Sequence, residues 1–170
     1  MNAHRTEHIN QGEYAVGSEP DLMITTLLGS CVAVCLHDPN ANVGGMNHIL
    51  LPEDTGGAAS GASFGVNAME LLINAVTKSG GNRGHLVAKV FGGGKMVKGL
   101  SNIGERNREF VMNFLADEGI RCVSESTGGD SGRRVQFWPH SGKARQKFME
   151  AVINDPAPAP KPKASDVELF

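Results

Sequence analysis

The chain has 170 residues, 40% of them apolar, 20% charged and 5% aromatic, with a formal net charge of -2. That length supports one domain with a real hydrophobic core, and the charge balance excludes a partner chosen by bulk electrostatics, whether nucleic acid or membrane. Three cysteines make no disulfide framework, no run reaches the roughly 18 apolar residues of a membrane span, and MNAHRTEHINQGEYAVG has no apolar signal core. The expectation is a cytoplasmic protein with reduced thiols and no membrane insertion.

In chain order, residues 21–28 (DLMITTLL), 31–38 (CVAVCLHD) and 43–51 (VGGMNHILL) are short and rich in branched side chains, so each predicts a strand. DPNAN at 38–42 predicts a hairpin connection between the second and third. Residues 63–81 predict a helix with Ser63 as N-cap, Gly80 as stop and Phe64, Ala68, Leu72, Ala75 and Val76 facing inward. A strand at 85–91 runs into a Gly triplet. A second helix over 104–119 turns Phe110, Val111, Phe114 and Leu115 inward and stops at Gly119. Residues 120–127, 133–139 and 143–149 predict three more strands. The alternation favours an α/β fold class, one mixed domain over residues 1–151.

Residues 152–170 form a separate Pro-rich segment, expected to be an extended, flexible tail. Its last five residues, DVELF (166–170), place Val167, Leu169 and Phe170 as an apolar anchor on that leash. The anchor either folds back into a groove of its own domain or docks on a separate protein; the composition leaves both open.

The chemistry concentrates at 25–52. If 31–38 and 43–51 pair antiparallel with Asp38 opposite Val43, then Ala33 faces His48 and Cys31 faces Leu50. Alternation then makes Cys31 and His48 diagonal neighbours on one face. A slip of two residues sets them directly opposite, and a slip of one separates them to opposite faces. A neighbouring imidazole can take the thiol proton, leaving a nucleophilic thiolate, and can later protonate a leaving amine. The Gly29-Ser30 step permits close backbone approach, where amide N–H groups can line an oxyanion site. Two other readings stay open on spacing alone. One is a small buried cysteine with a core histidine. The other is a metal site from Cys31, Cys35, His37 and His48, although C-x3-C-x-H is not a usual zinc spacing.

TTLLGSCVAV followed by GGMNHILLP resembles the CheD-type chemoreceptor glutamine deamidases of bacterial chemotaxis. GEYAV near the start, KVFGGGKM at 89–96, NIGERN at 102–107 and GGDSGRRVQF at 128–137 extend the resemblance from about residue 12 to about 148. The resemblance implies a catalytic cysteine at Cys31, its histidine at His48 and a third member, six positions before the cysteine, at Thr25. It implies a single-domain α/β sandwich of mixed β-sheets with helices, akin to the catalytic domain of cytotoxic necrotizing factor toxins. It also implies a protein-glutamine glutaminase that hydrolyses receptor Gln amides to Glu with no metal or cofactor. The implied substrates are methyl-accepting chemotaxis receptors, and the implied partner of some members is a CheC-type phosphatase. A second function class, a regulatory binding module for the phosphatase or receptors, has no need of a thiol-imidazole pair.

FGGGKM departs from a phosphate-binding loop because Met96 follows Lys95, so it is expected to be a structural Gly turn or a wall of the substrate cleft. Arg133, Arg134, Lys143, Arg145 and Lys147 are expected to be strand charges facing solvent rather than a nucleic-acid face. Cys122 and Trp138 are expected to pack.

Overall fold

The computed structural model describes residues 5–52, 60–96, 102–149 and 167–170. Nine of its elements coincide with the expectations from sequence. These are β3 (Leu22–Leu28), β4 (Val32–Asp38), β5 (Val43–Asn47), α1 (Ser60–Lys78), β6 (Val87–Gly92), α2 (Ile103–Asp117), β7 (Arg121–Thr127), β8 (Arg133–Trp138) and β9 (Lys143–Phe148). Three strands were not anticipated: β1 (Arg5–His8), β2 (Tyr14–Gly17) and β10 (Val167–Leu169). β1 and β2 are four residues long, and all four residues of β1 are exposed, so neither carries an apolar alternation to read.

The strands form two five-stranded sheets, ordered β1-β3-β8-β9-β10 and β2-β5-β4-β6-β7. Both are mixed: β1 runs parallel to β3 and β6 parallel to β7, with the remaining pairs antiparallel. Every residue of β4 is buried. It is the middle strand of its sheet with covered faces on both sides, which is why its sequence reads as a near-continuous apolar run. Val32, Val34 and Leu36 face Met69, Leu72, Ile73 and Val76 of α1 and Val111, Phe114 and Leu115 of α2. Ala33 and Cys35 face the other way, onto Leu22, Ile24, Leu28, Val135 and Phe137 of the second sheet. The layers are therefore helices, sheet, sheet, and period-2 alternation along β4 separates the two cores.

The β4–β5 register is tied down by Asp38. Its carboxylate accepts the backbone N–H of Asn40 at 2.8 Å and of Ala41 at 3.2 Å, and of Asn82 at 2.8 Å. Burial alone would raise its pKa; these three donors outweigh that and hold the carboxyl below its ordinary range. The turn they shape sets Asp38 opposite Val43.

Several expectations need correction. α1 begins at Ser60, so Ser63 lies inside the helix and is not its cap. Phe64 is 46% exposed, because the buried stripe is centred on Met69, Leu72, Ile73 and Val76, one residue round from the expected face. Arg133 does not point to solvent. It shares the inward parity of Val135 and Phe137, donates to the carbonyls of Ser126 at 2.7 Å and Gly128 at 2.5 Å, and lies over the Phe148 ring. Trp138 packs under Lys143 and Arg145, and Cys122 is half-buried against the helix-side core.

The Pro-rich part of the tail lies outside the described residues. Its end does not: β10 pairs antiparallel with β9, and the Phe170 ring stands edge-on to Phe91 with centroids 5.1 Å apart. Residues 167–170 thus sit on their own domain, one of the two alternatives the sequence left open.

Candidate active site

The β4–β5 pairing has the register in which Asp38 faces Val43 and Cys35 faces Met46. It continues as a bridge between Val32 and Ile49, which exchange hydrogen bonds of 3.0 and 2.7 Å. One residue before Val32 stands Cys31, and one before Ile49 stands His48. Val32 and Ile49 point into the helix-side core, so alternation turns Cys31 and His48 together toward the second sheet. They are diagonal neighbours across the end of the hairpin, about 7–8 Å apart at the backbone and within reach of an imidazole.

From the facing sheet, β3 brings a threonine to His48. Thr26 Oγ1 lies 2.7 Å from His48 Nδ1 and 2.7 Å from the Ile9 carbonyl. A hydroxyl has one proton and a carbonyl can only accept, so Thr26 donates to Ile9 and must accept from His48. That assigns the proton to Nδ1 and leaves the Nε2 lone pair as the free base. The structure does not bring Thr25, the third member expected from the resemblance, to His48. Thr25 Oγ1 donates to the Val135 carbonyl at 2.8 Å on the neighbouring strand. Leu22, Ile24 and Leu28 are buried between the sheets, and Thr26 shares their parity on β3 while Thr25 does not. That parity was readable in the sequence.

His48 is 7% exposed. Burial pushes its imidazole below the ordinary histidine value, opposed only by the Glu13 carboxylate, and burial pushes the half-buried Cys31 thiol up. Both shifts favour the uncharged forms of the two groups.

The loop carrying Cys31 is held on three consecutive carbonyls. Gly29 accepts from the Gly94 N–H at 2.9 Å, Cys31 from the Gly93 N–H at 2.8 Å, and Ser30 from Asn107 Nδ2 at 2.9 Å. The Gly triplet is therefore structural. A Cβ on Gly92 would run into the Cys31 carbonyl, and Gly93 has a φ of 65°. A cavity of about 400 Å³ opens beside this turn, between the start of α2 and Thr127–Gly129.

Asn107 was not singled out from sequence. Fully buried on α2, it lies four residues before Val111 on the apolar stripe, and a polar residue there was the available signal. Arg106 beside it donates to the carbonyls of Leu51 at 3.1 Å and Pro52 at 2.9 Å.

The alternative metal reading gains nothing. Among the described residues no group of three or more His, Cys, Asp or Glu side chains can hold a metal ion. His37 instead faces the His140 carbonyl at 3.1 Å, and Cys35 is buried, its thiol pushed far up by desolvation. Among the described residues no helix is long and apolar enough to cross a membrane.

A family model described as CheD chemotactic sensory transduction matches residues 50–148. A protein of Agrobacterium fabrum named as a probable chemoreceptor glutamine deamidase CheD is 53% identical, covering 99% of this chain and 98% of its own. Proteins of the same name from Rhizobium meliloti and Caulobacter sp. are 49% and 50% identical, covering 99% and 96% of this chain and 97% and 92% of theirs. Among solved structures, the Bacillus licheniformis protein YfiH superposes with a TM-score of 0.42 at 14% identity, over 69% of this chain and 50% of its own, and adds nothing to the assignment. On its near-full-length identity to these relatives, the chain belongs to the CheD family.

Proposed function

We propose that this chain is a chemoreceptor glutamine deamidase of bacterial chemotaxis, hydrolysing Gln side-chain amides of methyl-accepting receptors to Glu and ammonia. The observation that carries the reading is the His48 ring, held at Nδ1 by Thr26, on a residue that flanks the Val32–Ile49 bridge as Cys31 does. A binding module has no use for that arrangement.

The chemistry follows from it. Cys31 Sγ attacks the γ-carboxamide carbon while its proton passes to His48 Nε2. The carbonyl oxygen becomes an oxyanion, met by backbone N–H donors of the Cys31 loop. The imidazolium returns its proton to the departing nitrogen, ammonia leaves and a Cys31 thioester remains. His48 then takes a proton from water, hydroxide adds to the thioester, and collapse gives Glu and regenerates the thiol. Thr26 holds the tautomer throughout, as the third group of a triad does. No step calls for a metal or cofactor.

The same reading carries two further expectations of the family resemblance. One is kinship of fold with the catalytic domain of cytotoxic necrotizing factor toxins, supported by the two-sheet sandwich with its site between neighbouring strands. The other is a CheC-type phosphatase as partner. The test is to incubate the protein with receptor cytoplasmic fragments and map Gln-to-Glu conversion by peptide mass spectrometry. Conversion that vanishes in Cys31→Ala and His48→Ala supports the reading. No conversion in any receptor fragment by the wild-type protein defeats it.

A further inference from the structure

Asn107 occupies a place where the β4–β5 ladder should continue. The register that pairs Val32 with Ile49 would next pair Ser30 with Leu51. Instead the two strands part, and the Asn107 side chain stands between them. Its Nδ2 donates to the Ser30 carbonyl at 2.9 Å and its Oδ1 accepts the Leu51 N–H at 3.0 Å. The two partners fix the orientation of the amide, since Leu51 can only donate and Ser30 only accept. Asn107 therefore acts as a peptide group inserted into the ladder, linking the loop before the nucleophile to the segment after the base.

The peptide plane carries the consequence. The Ser30–Cys31 peptide is trans, as are all those among the described residues, so the Cys31 N–H points opposite to the Ser30 carbonyl. Holding that carbonyl on the β5 side aims the Cys31 N–H to the β6 side, where the Cys31 carbonyl already meets the Gly93 N–H. In a regular ladder the Cys31 N–H would donate back to the Gly93 carbonyl. Gly93 has a φ of 65°, and its carbonyl turns against Gly104. Among the described residues the Cys31 N–H donates to no backbone acceptor. It is an unspent donor on the residue proposed as nucleophile.

We infer that Asn107 is a positioning residue that fixes the Ser30–Cys31 peptide so that the Cys31 N–H serves as an oxyanion donor. The inference rests on the deamidase reading and adds to it how the oxyanion donor is aimed. Asn107 touches no reacting atom; it acts through the Ser30 carbonyl. In Asn107→Leu both bonds are lost at similar volume, and in Asn107→Asp the shape is kept while a carboxylate faces the Ser30 oxygen.

The experiment compares deamidation of a receptor fragment with alkylation of Cys31 by iodoacetamide, in wild type and both variants. Alkylation at a saturated carbon develops no oxyanion, whereas amide attack does. The expected result is a kcat about 10²-fold lower with KM and the alkylation rate unchanged. A kcat equal to wild type overturns the inference. So does a parallel fall in kcat and alkylation, which would make Asn107 a prop for the loop and nothing more. A wild-type protein that deamidates no fragment defeats the underlying reading instead, and is seen before any variant is compared. The wild-type protein gives a readout that needs no variant. Adding a peptide with glutamate semialdehyde in place of Gln forms a hemithioacetal on Cys31. The Cys31 amide proton should then shift strongly in NMR, and an unmoved resonance overturns the assignment.

Discussion

At the scale of single residues, two adjacent threonines on β3 differ in partner, Thr26 meeting His48 and Thr25 the Val135 carbonyl. Thr26→Val removes the acceptor that keeps the proton on His48 Nδ1, so either tautomer becomes accessible and kcat should fall on the order of 10²-fold. Thr25→Val removes a bond to the Val135 carbonyl and should leave kcat near wild type, with a modest loss of stability of about 1 kcal/mol. Steady-state deamidation by the two variants decides between them; the reverse order would return Thr25 to the site. The pH profile belongs to the same scale. Burial lowers the His48 pKa, so the imidazole remains a base below the ordinary histidine value of about 6.5, and kcat/KM should hold there before falling on further acidification. Among the thiols, Cys35 is buried and pushed furthest up, and Cys122 has no imidazole placed beside it. A labelling map should therefore show Cys31 reacting first with iodoacetamide.

At the scale of elements, the site depends on a register that is set at the far end of the hairpin. Cys31 lies seven residues before Asp38 and His48 five residues after its partner Val43, yet a slip of one residue would separate them. Asp38→Ala leaves the backbone N–H groups of Asn40, Ala41 and Asn82 without their acceptor and should cost about 3 kcal/mol, seen as a melting temperature lower by on the order of 10 °C. An unchanged melting temperature would show that the turn holds without the carboxylate. The elements themselves were legible from short branched runs such as β3, β4 and β8 and from the apolar stripes of α1 and α2. The register was legible too, as one of three, because DPNAN fixed where the chain turns. What escaped was short, polar or contributed by a distant element. β1 has no buried face, and the Thr26–His48 contact depends on how the second sheet lies over the first. Asn107 reads as an anomaly on its stripe until the parting of β4 and β5 gives it a task.

At the scale of the whole molecule, acid and the C-terminal strand probe the same two-sheet packing. Burial lowers the pKa values of both His37 and His48. Below pH of about 6.5 the unfolded chain takes up protons on these rings that the folded chain refuses, so stability should fall as the pH drops through and below that value. Urea midpoints across pH test this, and the slope should shrink in His37→Gln. Deleting residues 167–170 removes the β9 pairing, the Phe91–Phe170 contact and the bond of 2.9 Å from Lys89 Nζ to the Phe170 carbonyl, at a cost of about 2 kcal/mol. The truncated protein should melt earlier while still deamidating a receptor fragment at room temperature. Unchanged melting with reduced receptor modification in cells would instead favour docking of this segment on another protein.

The claim on which the rest depends is that Cys31, with His48 as its base, becomes covalently acylated by a glutamine side chain. Rapid acid quench of the reaction with a receptor peptide, followed by intact-mass analysis, tests it directly. The account predicts a peptide adduct on Cys31 that hydroxylamine removes, absent from Cys31→Ala together with all Gln-to-Glu conversion. Conversion that continues undiminished in folded Cys31→Ala, with no adduct in the wild type, would contradict it.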